Sequence, residues 1–103
     1  MDIIKSKDEY DALLKNNSAV FVDFFATWCG PCKMVSPIVE KLAAVNTDVV
    51  FVKVDVDETP DIAAQYGIMS IPTLMAFKHG EAAGTIVGFR PEPEIQKLVD
   101  AAK

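Results

Sequence analysis

The chain has only two cysteines, and both stand in the run Trp28-Cys29-Gly30-Pro31-Cys32. A C-x-x-C pair has a chemical use when it opens a helix. Residues three apart then lie about one turn apart on one face, so two sulfurs can close a small disulfide ring. The helix N-terminus also presents unpaired N–H groups and partial positive charge, which stabilise a thiolate and lower the pKa of the first cysteine. Pro31 suits such a first turn, because its missing N–H would have had no partner there.

The flanking stretches supply the elements this chemistry needs. The apolar run Ala19 to Ala26 precedes the motif, and the periodic Met34, Val35, Ile38, Val39 and Leu42 follow it. That is a strand running into an amphipathic helix, and a cysteine pair at such a junction reads as a redox site. Other uses of the pair fit less well. A structural zinc site needs about four ligands, and beyond the cysteines there is only a distant His79. Haem attachment requires His after the second cysteine, where Lys33 stands. A passive structural disulfide would close so short a loop that it restrains little chain entropy.

Asp23 is the second residue with chemical promise. On a strand its same-face neighbours are Phe21 and Phe25, while Val22 and Phe24 line the other face. Burial without a cationic partner raises a carboxyl pKa, and a raised pKa suits proton exchange near neutrality. A strand-end aspartate that merely reaches solvent is the plain alternative.

In chain order, Asp2-Ile3-Ile4-Lys5 makes a short first strand. Ser6 and Glu9 have capping-box spacing, and Tyr10, Leu13 and Leu14 fall on one helical face. Asn16-Asn17-Ser18 breaks that helix. Ala19 to Ala26 is apolar on both faces except at Asp23, which marks a central strand covered above and below. The cysteine helix extends to near Asn46, with Pro37 removing one backbone bond and kinking it. Val49 to Val54 is a second buried strand. Thr59-Pro60-Asp61 offers an N-cap, a first-turn proline and a first-turn acid, and Gly67 closes the short helix. Thr73 to Lys78 and Ala83 to Val87 form a hairpin about His79-Gly80. Ile95, Leu98, Val99 and Ala102 give the last helix its apolar stripe. The pattern is an α/β layer structure with a mixed sheet; periodicity leaves the strand order open.

Length and composition set limits. One hundred and three residues make one domain, residues 1–103, able to bury a core without staples. Half the residues are hydrophobic, which excludes disorder. Ten basic against fifteen acidic residues give a net charge of −5, which argues against nucleic acid or an anionic membrane as the main partner. No apolar run approaches the roughly 18 residues of a membrane span, and no secretory leader is recognisable. A C-x-x-C in such a chain suits a reducing compartment, and the cytoplasm is the expectation.

Trp28-Cys29-Gly30-Pro31-Cys32 resembles the active-site motif of the thioredoxin family, and Asp23 and Ile71-Pro72-Thr73 match the same family. The similarity runs from Met1 to Lys103. The resemblance implies the thioredoxin fold, a central mixed sheet flanked by helices on both faces. It implies an exposed Cys29 sulfur that attacks a substrate disulfide, and a Cys32 that resolves the resulting mixed disulfide. It also implies a proton passed from Cys32 to Asp23 through water. Gly30 and Pro31 tune how readily the ring opens. Lys53 matches a family lysine near the aspartate, with an outward-facing strand lysine as the alternative. The family's Ile-Pro bond is cis, which for Ile71-Pro72 leaves the backbone of Ile71 free to pair with an extended substrate. Trp28, Met69, Ile71, Pro72, Gly88 and Phe89 then form an apolar substrate rim, the alternative being ordinary core or scattered surface.

The function implied is reduction of protein disulfides, with recharging by an NADPH-dependent thioredoxin reductase. The chain itself is expected to bind no cofactor or metal and to be a monomer. Oxidase and isomerase relatives usually carry His before the second cysteine, so the Gly30-Pro31 pair favours a reductant. A redox-idle binding subunit is the other alternative, and the intact set of Asp23, Cys29, Cys32 and Pro72 speaks against it. Two departures from the family stand out. Phe25 occupies a position where many members have Trp, and Arg90-Pro91-Glu92-Pro93 is an unusual helix entry. His79 reads as a solvated turn residue.

Overall fold

A run that is apolar on both faces has to be covered on both, and Ala19–Phe25 (β2) takes the middle of the sheet for that reason. The computed structural model describes residues 1–103. It adds strands Asp2–Ile3 (β1), Val50–Asp55 (β3), Thr73–Lys78 (β4) and Glu81–Val87 (β5). Helices are Lys7–Asn16 (α1), Gly30–Val45 (α2), Pro60–Gln65 (α3) and Glu92–Ala102 (α4). The five strands lie in the order β1-β3-β2-β4-β5. β1 and β2 run parallel to β3, and β4 is antiparallel to both β2 and β5.

Alternation along β2 divides the core. Val20, Val22 and Phe24 face Tyr10, Ile62, Ala63, Met75 and Phe77, beneath α1 and α3. Phe21 faces the other way, into Val35, Val39, Leu42, Ile95, Leu98 and Val99 of α2 and α4. Each fully buried side chain of this size contributes on the order of 1.5–3 kcal/mol over leaving it exposed, so the two clusters clamp β2 from both sides. Asp23 falls on the α2 and α4 side.

Several local expectations match the structure. The Ser6 hydroxyl accepts from the Glu9 N–H at 3.1 Å and caps α1. Gly67 has φ +62 just after α3, and His79 and Gly80 have φ 52 and +81 in the β4–β5 turn. All four residues of the expected α4 stripe are buried. Others shift. Only Asp2 and Ile3 of the first segment pair as strand; Ile4 turns its side chain into the core while its N–H still bonds Lys53. β3 begins at Val50 and β5 already at Glu81. Thr59 precedes α3 but does not cap it: its hydroxyl donates back to the Asp55 carbonyl at 3.1 Å, and the Asp61 carboxylate accepts from Ile62 N–H. The helix α2 runs on through Pro37.

Candidate active site

β2 and α2 meet at the cysteines. Ala26 N-terminal to the motif accepts from the Cys29 N–H at 3.2 Å, which turns the chain from strand into helix. Cys29 is the N-cap of α2, with φ −84 and ψ 114, and its Sγ accepts from the backbone N–H of Cys32 at 3.1 Å. The first cysteine thus sits where the helix offers free donors, and Pro31 fills a first-turn position that donates nothing. Cys29 and Cys32 are joined as a disulfide, with Cα atoms 5.3 Å apart. Gly30 has no neighbouring atom within 4 Å of where a Cβ would stand, so the outer side of the ring is open.

One expectation fails. The resemblance implies an exposed Cys29 sulfur, yet Cys29 is only 4 % exposed and Cys32 5 %. In the disulfide state both pack with Ala26 against Phe25, Val56 and Ile71. The Ile71-Pro72 turn is what covers Cys29: its Sγ lies 3.8 Å from the Ile71 carbonyl oxygen. A disulfide sulfur carries no proton to donate, so this is van der Waals contact and not a hydrogen bond.

That turn is held from two sides. The Thr73 hydroxyl donates to Ser70 O at 2.6 Å, and Gly88 N–H donates to Pro72 O at 2.8 Å. The Ile71-Pro72 peptide is cis. Gly88, at φ +86, takes a conformation that costs other residues strain and so brings the end of β5 to the turn. Of the expected rim, Ile71 therefore lies against Cys29, and Gly88 is tied to the adjoining Pro72. Trp28 and Phe89 are exposed, and Met69 is 96 % exposed. Met69 lines a groove of about 290 Å³ that runs past Ser70 and Thr73 of the same turn, with Tyr66, Ile68, Met75 and Val87.

Sequence reading missed Asp57. Its Oδ2 accepts from Trp28 Nε1 at 2.8 Å and holds the indole beside the motif, although 69 % of that tryptophan is exposed. The pair is 29 residues apart in sequence. Only the position of Asp57 just past a strand that neighbours β2 could have signalled it.

Asp23 is 2 % exposed, and its Oδ1 has no hydrogen-bond partner. Burial pushes its pKa up to about 6; the Lys53 charge opposes this and Glu40 adds to it. Lys53 is the register partner of Asp23 on β3, which is how the lysine comes near. Its ammonium stands over the Phe25 ring, 4.5 Å from the centroid, and so acts on the carboxyl through space. Asp23 and Cys32 line one cavity of about 220 Å³ with Phe25, Ala26, Thr27, Lys33, Ser36 and Lys53. A larger hollow of about 450 Å³ lies among Leu14 to Ser18, His79 and Gly80, with one apolar lining residue and no cysteine.

A buried disulfide across the N-cap of a helix, a buried carboxyl behind it and a cis-proline turn over its first sulfur make a dithiol redox centre. The thioredoxin family model matches residues 2–101. The chain belongs to the thioredoxin family. It is 46% identical over 99 residues to thioredoxin of Mycoplasmoides gallisepticum, covering 96% of this chain and 99% of the relative. It is 45% identical over 101 residues to thioredoxin of Bacillus subtilis, with 97% of each covered. A structure of Plasmodium falciparum thioredoxin superposes with TM-score 0.91 at 37% identity, covering 97% of both chains. The thioredoxin fold that the resemblance implies, a central mixed sheet flanked by helices on both faces, is thus the fold observed. The chain is a dithiol–disulfide oxidoreductase, acting as a protein-disulfide reductase. Its family takes disulfide substrates and works with a thioredoxin reductase. No helix is long and apolar enough to cross a membrane.

Proposed function

We propose that residues 1–103 act as one catalytic unit in which Cys29 attacks and Cys32 resolves. The observation that carries this is the Cys32 N–H bonded to Cys29 Sγ at the cap of α2, since the same donor stabilises a Cys29 thiolate once the ring is reduced. The Cys29 thiolate attacks one sulfur of a substrate disulfide, and the other substrate sulfur leaves as a thiolate. Cys32 gives its proton to the Asp23 carboxylate and attacks Cys29. The Cys29–Cys32 bond re-forms and the second substrate thiolate departs. Two electrons have passed to the substrate. Asp23 is the base because it shares a cavity with Cys32 and has a pKa near 6, close to the working pH. Gly30 and Pro31 set how openly the ring is presented, and Lys53 limits the rise in the Asp23 pKa.

The substrate lies as an extended segment along Ile71, whose carbonyl already points at Cys29, with Trp28, Met69, Pro72, Gly88 and Phe89 as its apolar surround. An NADPH-dependent thioredoxin reductase returns the dithiol, and the setting is the reducing cytoplasm, with the chain as a monomer. The test is turnover of insulin disulfides by the protein with NADPH and a thioredoxin reductase. Cys29→Ser should abolish it. Turnover by Cys29→Ser, or none by the native chain after chemical reduction, would overturn the proposal.

Trp28 as part of that rim gives a finer prediction. Asp57→Ala removes the only acceptor of the indole N–H, worth about 1 kcal/mol in so exposed a place. Reduction of a protein disulfide should then fall roughly fivefold, while a small aromatic disulfide that does not reach the indole is reduced at the native rate. Equal losses on both substrates would place the effect of Asp57 elsewhere.

A further inference from the structure

The cavity between Asp23 and Cys32 has one feature the mechanism above leaves unused. Its lining is apolar at Phe25 and Ala26 and carries two ammonium groups, Lys33 and Lys53. An ammonium donates hydrogen bonds and accepts none. A group that relays a proton across the cavity between Cys32 and the carboxyl must both donate and accept, and a hydroxyl is such a group. Two hydroxyls line the cavity, Thr27 and Ser36. Thr27 is exposed on the loop before the motif. Ser36 is half-buried on α2 and stands one turn beyond Cys32, so both side chains lie on the same face of one rigid helix. The buried Asp23 Oδ1 has no partner of its own. A cavity of about 220 Å³ that carries Asp23, Lys33, Ser36 and Lys53 on its lining is large enough to hold water between these groups.

We propose that Ser36 is a positioning residue for the proton step: its hydroxyl orders the hydrogen-bonded path through the cavity that joins Cys32 to Asp23. The inference rests on Asp23 being the base. The charged groups that face Asp23 are Lys53 on β3 and Glu40 and Lys33 on α2, and Ser36→Ala changes none of them. Cys32 loses a proton through the path, its thiolate displaces the substrate sulfur from Cys29, and Asp23 holds the proton until solvent takes it.

Alanine is a good helix former, so Ser36→Ala keeps α2 folded. Rapid-quench kinetics with a peptide disulfide separate attack by Cys29 from release through Cys32, and carboxyl NMR follows the Asp23 titration. Ser36→Ala should slow release about three- to tenfold at neutral pH and leave attack within about twofold. The Asp23 midpoint should rise by roughly half a unit or more, because the carboxylate loses polar surroundings. Ser36→Thr, which keeps the hydroxyl, should restore both, and Thr27→Ala should change neither. An unmoved midpoint together with unchanged release in Ser36→Ala overturns the inference, as does the same change in Thr27→Ala. If Asp23→Asn itself releases substrate at the native rate, the base assignment falls and the role of Ser36 with it. Native-rate release by Ser36→Ala beside slow release by Asp23→Asn removes Ser36 alone.

Discussion

Cys32→Ser should accumulate substrate proteins covalently on Cys29, and Cys29→Ser should accumulate none. Cys29 keeps its place at the N-cap of α2 in the first variant, and the N–H of residue 32 that bonds its sulfur belongs to the backbone, so attack survives. Release does not. In the native chain the resolving sulfur is built into the adjacent turn, with Cα atoms 5.3 Å apart. Intramolecular groups so placed act at effective concentrations of about 10⁵ M or more, far above any free thiol. Losing that advantage should slow release by at least roughly 10³-fold. Stability should hardly differ from that of the reduced native protein, since serine is close in size to cysteine and neither carries the ring. Non-reducing gels and mass spectrometry of captured proteins give the readout. Trapping by both variants alike would show that either sulfur can attack and would reverse the order of roles.

What could be read from the sequence is what depends on neighbours along the chain. Ser6 with Glu9, the His79-Gly80 turn and the α4 stripe are set by local backbone and by the period of apolar residues, and they match. The chemistry of the C-x-x-C was equally legible, because its geometry is one helical turn. The rest depends on contacts between distant segments. Strand order places Lys53 opposite Asp23, and only the parallel register of β2 with β3 makes that so. The cover over Cys29 comes from Ile71, 42 residues away, and the anchor of Trp28 from Asp57, 29 away. Nothing local predicts either. Thr59 shows the converse failure: a good N-cap residue by type, drawn off by the Asp55 carbonyl one turn back. The tie of Gly88 to Pro72 likewise runs through its backbone, between the end of β5 and a turn distant in the chain.

Asp23→Asn should make the protein more stable at neutral pH and slower to release substrate. The carboxyl is buried among Phe21 and Phe25 on its strand face, and burial outweighs the Lys53 charge, raising its pKa from 3.8 to about 6. Between those values the native state keeps a proton that the unfolded chain has lost, so stability falls as pH rises through the window. Below 3.8 both states are protonated and the full stability is present; above about 6 it has been lost. The shift of about two units, at 1.36 kcal/mol each, comes to about 3 kcal/mol, similar to burying one phenylalanine. Asparagine keeps the shape and never bears the charge. The variant should therefore gain up to about 3 kcal/mol over the native protein at pH 7, and the gain should shrink to nothing as pH drops toward the unfolded aspartate value. Loss of the proton acceptor should slow release of substrate about 10²-fold, the lower end for a positioned base, with attack by Cys29 little changed. Denaturant melts of both proteins at acid and neutral pH, alongside single-turnover kinetics, make the measurement. A stability difference that stays flat across that range would mean the carboxyl is solvated or paired, and Asp23 could then not be the base.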